Sequence, residues 1–269
     1  MRRIAIWSAK GGCGKTTVAA NLAVAFARRS RRVLLLDLDP QACLLRAFGE
    51  EAAATLHPIM TGGAQLAECV RPTERGGVHL VAASPDLDTE EQLRTLGPGA
   101  EQLLDRSLEA LDPQLWDLLL LDCPPGVNRL AVSALVAARE HLAPVEPSTL
   151  SLGTVAATLD LAEAVRSRPN SELAPTRILL SRVDRGAPAL RELHEHHPGA
   201  VLETVIPNFS EASRQSARLD PVLVHGVNDP ALRAFDDLAA ELLRKRARSA
   251  PKPATLELPA ANPPLFTPL

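Results

Sequence analysis

The chain has 269 residues, of which 46% are hydrophobic, and a formal net charge of −3. This length and hydrophobic content suffice for one α/β domain with a large core. The nearly neutral charge excludes nucleic-acid binding through bulk charge, so any such binding requires a local basic patch. No segment approaches the roughly 20 apolar residues of a membrane span. The cysteines have no CxxC spacing, which indicates reduced thiols, and we expect a cytoplasmic protein. They are Cys13, Cys43, Cys69 and Cys123.

Short apolar runs alternate with helical patterns along the chain. The apolar runs predict strands over 3–7, 33–37, 78–82, 117–121, 141–145, 177–181 and 201–206. The helical patterns fall over 15–29, 41–48, 87–96, 100–111, 128–138, 153–166, 187–196 and 230–246. This alternation predicts an α/β fold with a doubly wound, mostly parallel sheet flanked by helices. Ligands of such sheets bind beyond the carboxyl ends of the strands.

The composition changes near the C-terminal end of the sequence. From Ala247 onward there are six prolines and few core-type residues. We therefore expect a folded domain over 1–246 and a mostly disordered tail over 247–269. The tail is either a linker or a partner-binding segment that ends in Leu265–Leu269.

A glycine-rich segment, Lys10–Thr17, separates the first predicted strand from the first predicted helix and reads KGGCGKTT. Backbone N–H groups in such a turn converge on an anion, and the helix N-terminus adds partial positive charge. Lys15 would reach the β- and γ-phosphates of a nucleotide, and the Thr16 hydroxyl would bind Mg²⁺. The ordinary pattern has glycine at the position of Ala9, and a second lysine, Lys10, stands at the front of this loop. The predicted nucleotide-binding residues of the loop are Gly11, Gly12, Cys13, Gly14, Lys15, Thr16 and Thr17.

Three aspartates follow predicted strands and would meet the loop at the same edge of the sheet. Asp37 and Asp39 lie in the segment LLLDLDPQ, and Asp122 follows the run of four leucines in LLLLDCPP. Asp37 would lie in the magnesium shell, and Asp122 would reach the ion through water. Asp39 would orient the attacking water, because phosphoryl transfer depends mainly on positioning.

With these motifs in this order, the chain resembles the ParA/MinD family of deviant-Walker P-loop ATPases, and most closely its short Soj-like ParA proteins. The resemblance covers about residues 2–245. It rests on KGGCGKTT, LLLDLDPQ and LLLLDCPP, and on the segments Pro144–Pro147 and Ile206–Asn208. It implies a P-loop ATPase domain over 1–246 with ATP and Mg²⁺ as cofactors.

The resemblance also assigns roles within the site. Lys10 would cross a homodimer with ATP sandwiched at its interface and contact the partner's phosphates, although it could be an ordinary exposed loop lysine. Pro207 and Asn208 would lie beside the adenine. The resemblance thus implies slow, partner-stimulated hydrolysis with Lys10, Lys15 and Asp39 as the catalytic residues.

Soj-like proteins bind DNA without sequence preference in the ATP-bound dimer, and a ParB-like protein stimulates their hydrolysis. Such binding needs Arg and Lys contacts to DNA phosphates and no base-reading motif. The resemblance therefore implies a nucleoid-associated protein without a stable membrane anchor that positions a plasmid, a chromosome or another cargo. The candidate DNA contacts are Arg182, Arg185, Arg214 and Arg218.

The sequence departs from the family pattern at two places and leaves two other functions open. Ala42 and Cys43 replace the usual Gly-Asn, and Asn208 stands where arginine is common. A MinD-like ATPase acting on a membrane or a protein assembly shares the same nucleotide motifs. A metabolic or metallocluster enzyme is the second alternative, but cluster-bearing relatives use paired cysteines and amidotransferase-type synthetases need a further domain. Two interpretations of Cys13 remain open: it is a small side chain that fits the loop, or its oxidation controls nucleotide binding.

Overall fold

The fold is described from a computed structural model, which defines residues 1–49, 65–73, 77–83, 97, 99–147, 151–183, 189–208 and 230–244. In this part of the chain eight strands form one sheet in the order β3-β4-β2-β5-β1-β6-β7-β8. Every strand pair is parallel except β3 with β4. The strands are β1 (Arg2–Ile6), β2 (Val33–Asp37), β3 (Arg71–Pro72), β4 (Val78–Val81), β5 (Leu118–Asp122), β6 (Glu140–Val145), β7 (Arg177–Val183) and β8 (Val201–Pro207).

Helices connect and flank these strands. They are α1 (Lys15–Ala27), α2 (Cys43–Phe48), α3 (Leu66–Cys69), α4 (Leu103–Glu109), α5 (Arg129–Ala137), α6 (Ser151–Ser167), α7 (Ala189–His196) and α8 (Pro230–Arg244), and a 3₁₀ turn at Ala100–Gln102 precedes α4. In the described ranges, none of these helices combines the length and the apolar character that crossing a bilayer requires.

The predicted fold class is confirmed, and so are all seven predicted strands, to within a few residues. The sequence did not indicate β3, because a two-residue strand ending in proline carries no apolar period and proline suits only a sheet edge. The short helix α3 was also not predicted. The predicted helix over 87–96 and the tail over 247–269 lie outside the described residues.

Both faces of the sheet are covered by apolar side chains. Along β1, Ile4 and Ile6 pack on the face that α1 and α8 cover, whereas Ala5 and Trp7 pack on the opposite face. Successive side chains of a strand alternate between faces, and a sheet covered on both sides requires apolar residues at every position. This explains the unbroken leucines of β5, which lies between β1 and β2 and is fully buried.

One histidine lies inside this core. His141 on β6 is 1% exposed, its Nε2 is 3.0 Å from the Trp7 carbonyl oxygen, and its Nδ1 is 2.8 Å from the Thr176 hydroxyl. Because a carbonyl only accepts, Nε2 carries the proton and Nδ1 accepts from Thr176. Burial lowers the pKa of His141 to about 4, and the hydrogen bond to Trp7 opposes this shift. The imidazole is therefore neutral in the folded protein at neutral pH.

We expect His141 to make the protein sensitive to mild acid. A pKa lowered from 6.5 to about 4 on folding contributes stability above pH 6.5 that is lost as the pH falls toward 4. Between pH 7 and pH 5, wild type should lose about 2 kcal/mol more unfolding free energy than His141→Gln. Urea titrations of both proteins at the two pH values measure this difference. The carboxylates titrate equally in wild type and variant, so their contribution cancels. Parallel pH profiles would contradict the assignment.

Candidate nucleotide-binding site

The phosphate loop joins the end of β1 to the start of α1. Gly12 and Gly14 have φ angles of 75° and 90°, in the left-handed region that glycine adopts without strain. Within the described residues no side chain caps α1, whose N-cap is Gly14, so its first N–H groups are left for another acceptor. Left-handed residues alternating with right-handed ones ahead of a helix N-terminus form a concavity for anions. The loop therefore has the conformation that a phosphate requires.

A cavity of about 540 Å³ opens over this loop, which is a usual size for a small-molecule site. Most of the predicted nucleotide-site residues line it, namely Gly11, Gly12, Gly14, Lys15, Thr16, Thr17, Asp39 and Asn208. Six further residues also line it: Val18, Gln41, Pro125, Ser181, Arg182 and Ile206. The structure thus brings the phosphate loop, the aspartate segment and the ends of β7 and β8 together around one cavity.

The two lysines of the loop point in different directions. Lys15 lines the cavity, is 6% exposed, and its Nζ donates to the Lys10 carbonyl over 2.9 Å. The side chain of Lys10 is not part of the cavity lining. Its Nζ pairs instead with Glu146 Oε2 at 3.2 Å, where about a third of each side chain is exposed. Lys15 is therefore placed for the nucleotide of its own chain, and Lys10 faces elsewhere.

Asp37 and Asp122 are neighbours at the carboxyl ends of β2 and β5, where they face each other in the pairing register. Both are fully buried. Burial raises the pKa of Asp37 to about 7, although N–H groups of Asp39 and Leu44 donate to its carboxylate over 3.0 and 3.2 Å. Burial and the nearby Asp37 raise the pKa of Asp122 well above its usual range. Two buried carboxyl groups side by side are costly to ionise unless a cation joins them.

The residues present fit a magnesium ion. Both carboxylate oxygens of Asp122 lack a hydrogen-bond partner among the described residues. The nearby Thr16 hydroxyl and the Lys15 charge lower the pKa of Asp122, against the larger effect of burial. Carboxylate and hydroxyl oxygens are the ligands that Mg²⁺ prefers. Thr16, Asp37 and Asp122 would hold the ion, which supplies charge neutralisation for bound phosphates.

Asp122→Asn should stabilise the nucleotide-free protein while removing its response to magnesium. The raised pKa of Asp37 means that this pair contributes stability at acid pH that is lost as the pH rises through about 7. Replacing Asp122 by an uncharged amide removes one of the two carboxyl groups that are costly to ionise, so the unfolding free energy at neutral pH should rise by on the order of 1 kcal/mol. Urea unfolding at pH 7, and melting temperatures with ADP in Mg²⁺ or in EDTA, measure the two effects. A variant that is less stable without nucleotide would contradict this account.

Asp39 lies at the edge of the cavity on the turn that follows β2. It is partly exposed, and its Oδ1 accepts from the Gln41 N–H over 3.0 Å. Ala42 completes the turn with its N–H donating to the Asp39 carbonyl over 2.9 Å and with a φ angle of 49°. The family pattern has glycine at this position. The Cβ of alanine makes the left-handed region sterically less favourable than it is for glycine. The turn that presents Asp39 is therefore more strained here than with glycine.

The predicted adenine side is formed by the ends of β7 and β8. Asn208 donates its N–H to the Val183 carbonyl over 3.0 Å, and its neighbour Pro207 pairs with Val183 at the end of the sheet. Asn208 and Ile206 line the cavity, whereas Pro207 does not. Pro207 lies between these two lining residues, and its contact with adenine stays a prediction.

Cys13 lies in the loop with its side chain turned inward. Its Sγ is 2.8 Å from the Ser8 hydroxyl and 3.3 Å from the Lys10 carbonyl, and the side chain is fully buried. Cys13 is not part of the cavity lining. This arrangement agrees with a small side chain that fits beneath the loop.

Of the four arginines predicted to contact DNA, the structure describes Arg182. Its Nη1 donates to the Gly12 carbonyl over 2.7 Å, so its guanidinium lies at the phosphate loop. Arg185, Arg214 and Arg218 lie outside the described residues, and their DNA contacts stay predictions.

No individual role was predicted from the sequence for Gln41, Pro125, Ser181 or Glu146. Pro125 packs beside Gly11, where an added Cβ would lie 3.8 Å from the Pro125 Cβ. Ser181 donates to the Cys13 carbonyl over 2.5 Å. The signal available for Ser181 was a polar residue at the carboxyl end of a buried parallel strand, the place where Asp37 and Asp122 were found. Nothing in the sequence indicated the pairing of Lys10 with Glu146.

Comparison with known proteins agrees with this geometry. A family model described as an AAA domain matches residues 1–175. The chromosome-partitioning ATPase Soj of Thermus thermophilus is 34% identical over 250 residues, which cover 91% of this chain and 96% of that protein.

Two solved structures share the fold and carry nucleotides. Cobyrinic acid a,c-diamide synthase of Mycobacterium smegmatis, with a bound ATP analog and magnesium, has a TM-score of 0.80 at 27% identity, covering 94% of this chain and all of that one. The septum site-determining protein MinD of Pyrococcus horikoshii, in complex with Mg-ADP, has a TM-score of 0.74 at 25% identity, covering 90% of this chain and 96% of that one. With its two-lysine phosphate loop and its strand-end aspartates, the chain belongs to the ParA/MinD family of P-loop positioning ATPases, which use ATP and magnesium.

Proposed function

We propose that this protein is a Soj-like partition ATPase that binds Mg·ATP, closes into a homodimer around two nucleotides and then binds DNA non-specifically. Hydrolysis, stimulated by a ParB-like partner, would release the DNA. The cargo would be a plasmid, a chromosome or another assembly. The protein would act in the cytoplasm, in association with the nucleoid.

The observation that carries the proposal is the direction of Lys10. An ordinary phosphate loop needs one lysine for its own nucleotide, and Lys15 occupies that position in the cavity. Lys10 stands five residues earlier, outside the cavity lining, in a partly exposed ion pair with Glu146. Surface ion pairs of this kind contribute at most about 1 kcal/mol, so the Lys10 ammonium can exchange Glu146 for a more strongly charged acceptor. The phosphates bound by a second, facing copy would supply that acceptor.

DNA binding would follow from the closed dimer. Closing two copies doubles the number of basic side chains on one surface, and each Arg or Lys that contacts a DNA phosphate adds to a salt-dependent affinity. The similarity to Soj, a chromosome-partitioning ATPase, supports this step. The proposed contacts are Arg182, Arg185, Arg214 and Arg218.

The test is fluorescence anisotropy of a labelled random-sequence duplex with Mg·ATP, Mg·ADP or no nucleotide, over a series of salt concentrations. We expect binding only with ATP, and an affinity that falls linearly with salt on logarithmic axes. The double variant Arg214→Ala, Arg218→Ala should reduce both the affinity for DNA and the steepness with which that affinity falls with salt. Arg166→Ala serves as the matched control, because this partly exposed arginine pairs with Glu163 on α6, outside the cavity lining.

The same experiment separates the DNA-binding protein from a MinD-like one. Sedimentation with anionic vesicles is run in parallel under the same nucleotide conditions. ATP-dependent binding to vesicles without binding to DNA would overturn the proposal in favour of a membrane-acting ATPase. Binding to DNA that is equal with ATP and ADP would overturn the proposed nucleotide switch.

A further inference from the structure

The carboxyl end of β7 is irregular. The register between β7 and β8 shifts between Leu180 and Val183, and Arg182 has a φ angle of 57°. This left-handed conformation is unfavourable for any residue with a Cβ, and such strain persists only where surrounding contacts hold it. Irregularities of this kind next to binding sites re-aim side chains.

At this irregularity two consecutive side chains contact the same loop. The buried Ser181 hydroxyl donates to the Cys13 carbonyl over 2.5 Å, and Arg182 Nη1 donates to the Gly12 carbonyl over 2.7 Å. Consecutive side chains of a regular strand point to opposite faces of the sheet. Both residues reach the phosphate loop because the left-handed backbone at Arg182 interrupts that alternation.

These two bonds fix the orientation of two peptide units. In a planar trans peptide, the C=O and the N–H of one unit point in opposite directions. Holding the Gly12 and Cys13 carbonyls toward β7 therefore directs the N–H groups of Cys13 and Gly14 away from β7. These N–H groups belong to the concavity formed by the left-handed residues Gly12 and Gly14.

We propose that Ser181 and Arg182 are positioning residues that hold the phosphate loop open for ATP by tying its Gly12 and Cys13 carbonyls to β7. They keep the loop in its anion-binding conformation before the nucleotide arrives, so binding does not have to order it. Arg182 also places a permanent positive charge at the rim of a cavity that receives an anion. This inference concerns nucleotide binding by a single chain and does not depend on DNA or on dimer formation.

The test measures the affinity for fluorescent ADP with Mg²⁺, without DNA, in Ser181→Ala, Ser181→Thr, Arg182→Ala and Arg182→Lys. The loss of a buried hydrogen bond in Ser181→Ala, and of a hydrogen bond together with a positive charge in Arg182→Ala, should each weaken binding by about tenfold. Ser181→Thr keeps the hydroxyl and should restore the affinity. Arg182→Lys keeps the charge and one donor and should give an intermediate value. Arg166→Ala is the matched control and should bind like wild type.

Melting temperatures of the nucleotide-free variants separate positioning from stability. The inference predicts weaker binding at a melting temperature near that of wild type, with rescue by threonine. It is overturned if all four variants bind ADP within twofold of wild type, or if threonine fails to rescue. It is also overturned if Arg182→Ala loses DNA affinity at unchanged ADP affinity, which would make Arg182 a DNA contact. If Ser181→Ala does not fold, the two variants of the partly exposed Arg182 decide the question.

Discussion

Asp39→Ala is expected to slow ATP hydrolysis by about 100-fold or more while the affinity for Mg·ATP stays close to that of wild type. A positioned general base or water-orienting group contributes roughly 100- to 10,000-fold to such reactions. Asp39 lines the cavity on the turn that follows β2, and its carboxylate accepts a hydrogen bond from the N–H of Gln41. Its removal should therefore affect the reaction more than binding.

Phosphate release and fluorescent-nucleotide titration measure the two quantities separately. Asp237→Ala is the matched control, because Asp237 is an exposed aspartate on α8 outside the cavity lining. A parallel loss of hydrolysis and affinity in Asp39→Ala would mean that Asp39 holds the nucleotide or its metal and does not orient water.

Lys10→Ala is expected to leave ATP binding by the single chain intact and to abolish the activity that depends on protein concentration. Lys15 lines the cavity and is proposed to bind the chain's own nucleotide, whereas Lys10 pairs with Glu146 outside the cavity lining and is proposed to reach another copy. In wild type, specific activity should rise with protein concentration as dimers form. In Lys10→Ala it should stay flat, at least about tenfold below wild type at high concentration, since a positively charged group acting on transferring phosphates typically contributes more than this.

Glu146→Gln provides the matched comparison for Lys10. It removes the charge that holds Lys10 within its own chain, so its activity should begin to rise at a lower protein concentration than in wild type. A Lys10→Ala protein whose activity still rises with concentration would show that Lys10 does not act across the interface.

Much of the site could be predicted because its residues follow from local rules. A glycine-rich turn between a strand and a helix identifies a phosphate loop, and aspartates at the ends of parallel strands must meet at one edge. Asp37 and Asp122, 85 positions apart in the sequence, accordingly face each other in the register of β2 and β5.

The remainder depends on tertiary contacts that have no local pattern. Ser181 and Arg182 share one target only because of an irregularity in β7, and regular strand alternation would place them on opposite faces. This is also why Arg182 was predicted from its charge alone, as a DNA contact. Lys10 and Glu146 meet across β1 and β6, and no sequence spacing encodes a pair of that kind. The strand β3 is too short to show a period.

We propose above all that ATP switches this chain between monomer and dimer through Lys10. The most direct measurement is the molar mass by light scattering of Asp39→Ala, which should retain ATP, with Mg·ATP and with Mg·ADP. We predict a doubled mass with ATP only, and a monomer under both conditions when Lys10→Ala is added. A mass that does not change with ATP, or a dimer that persists without Lys10, would contradict the account.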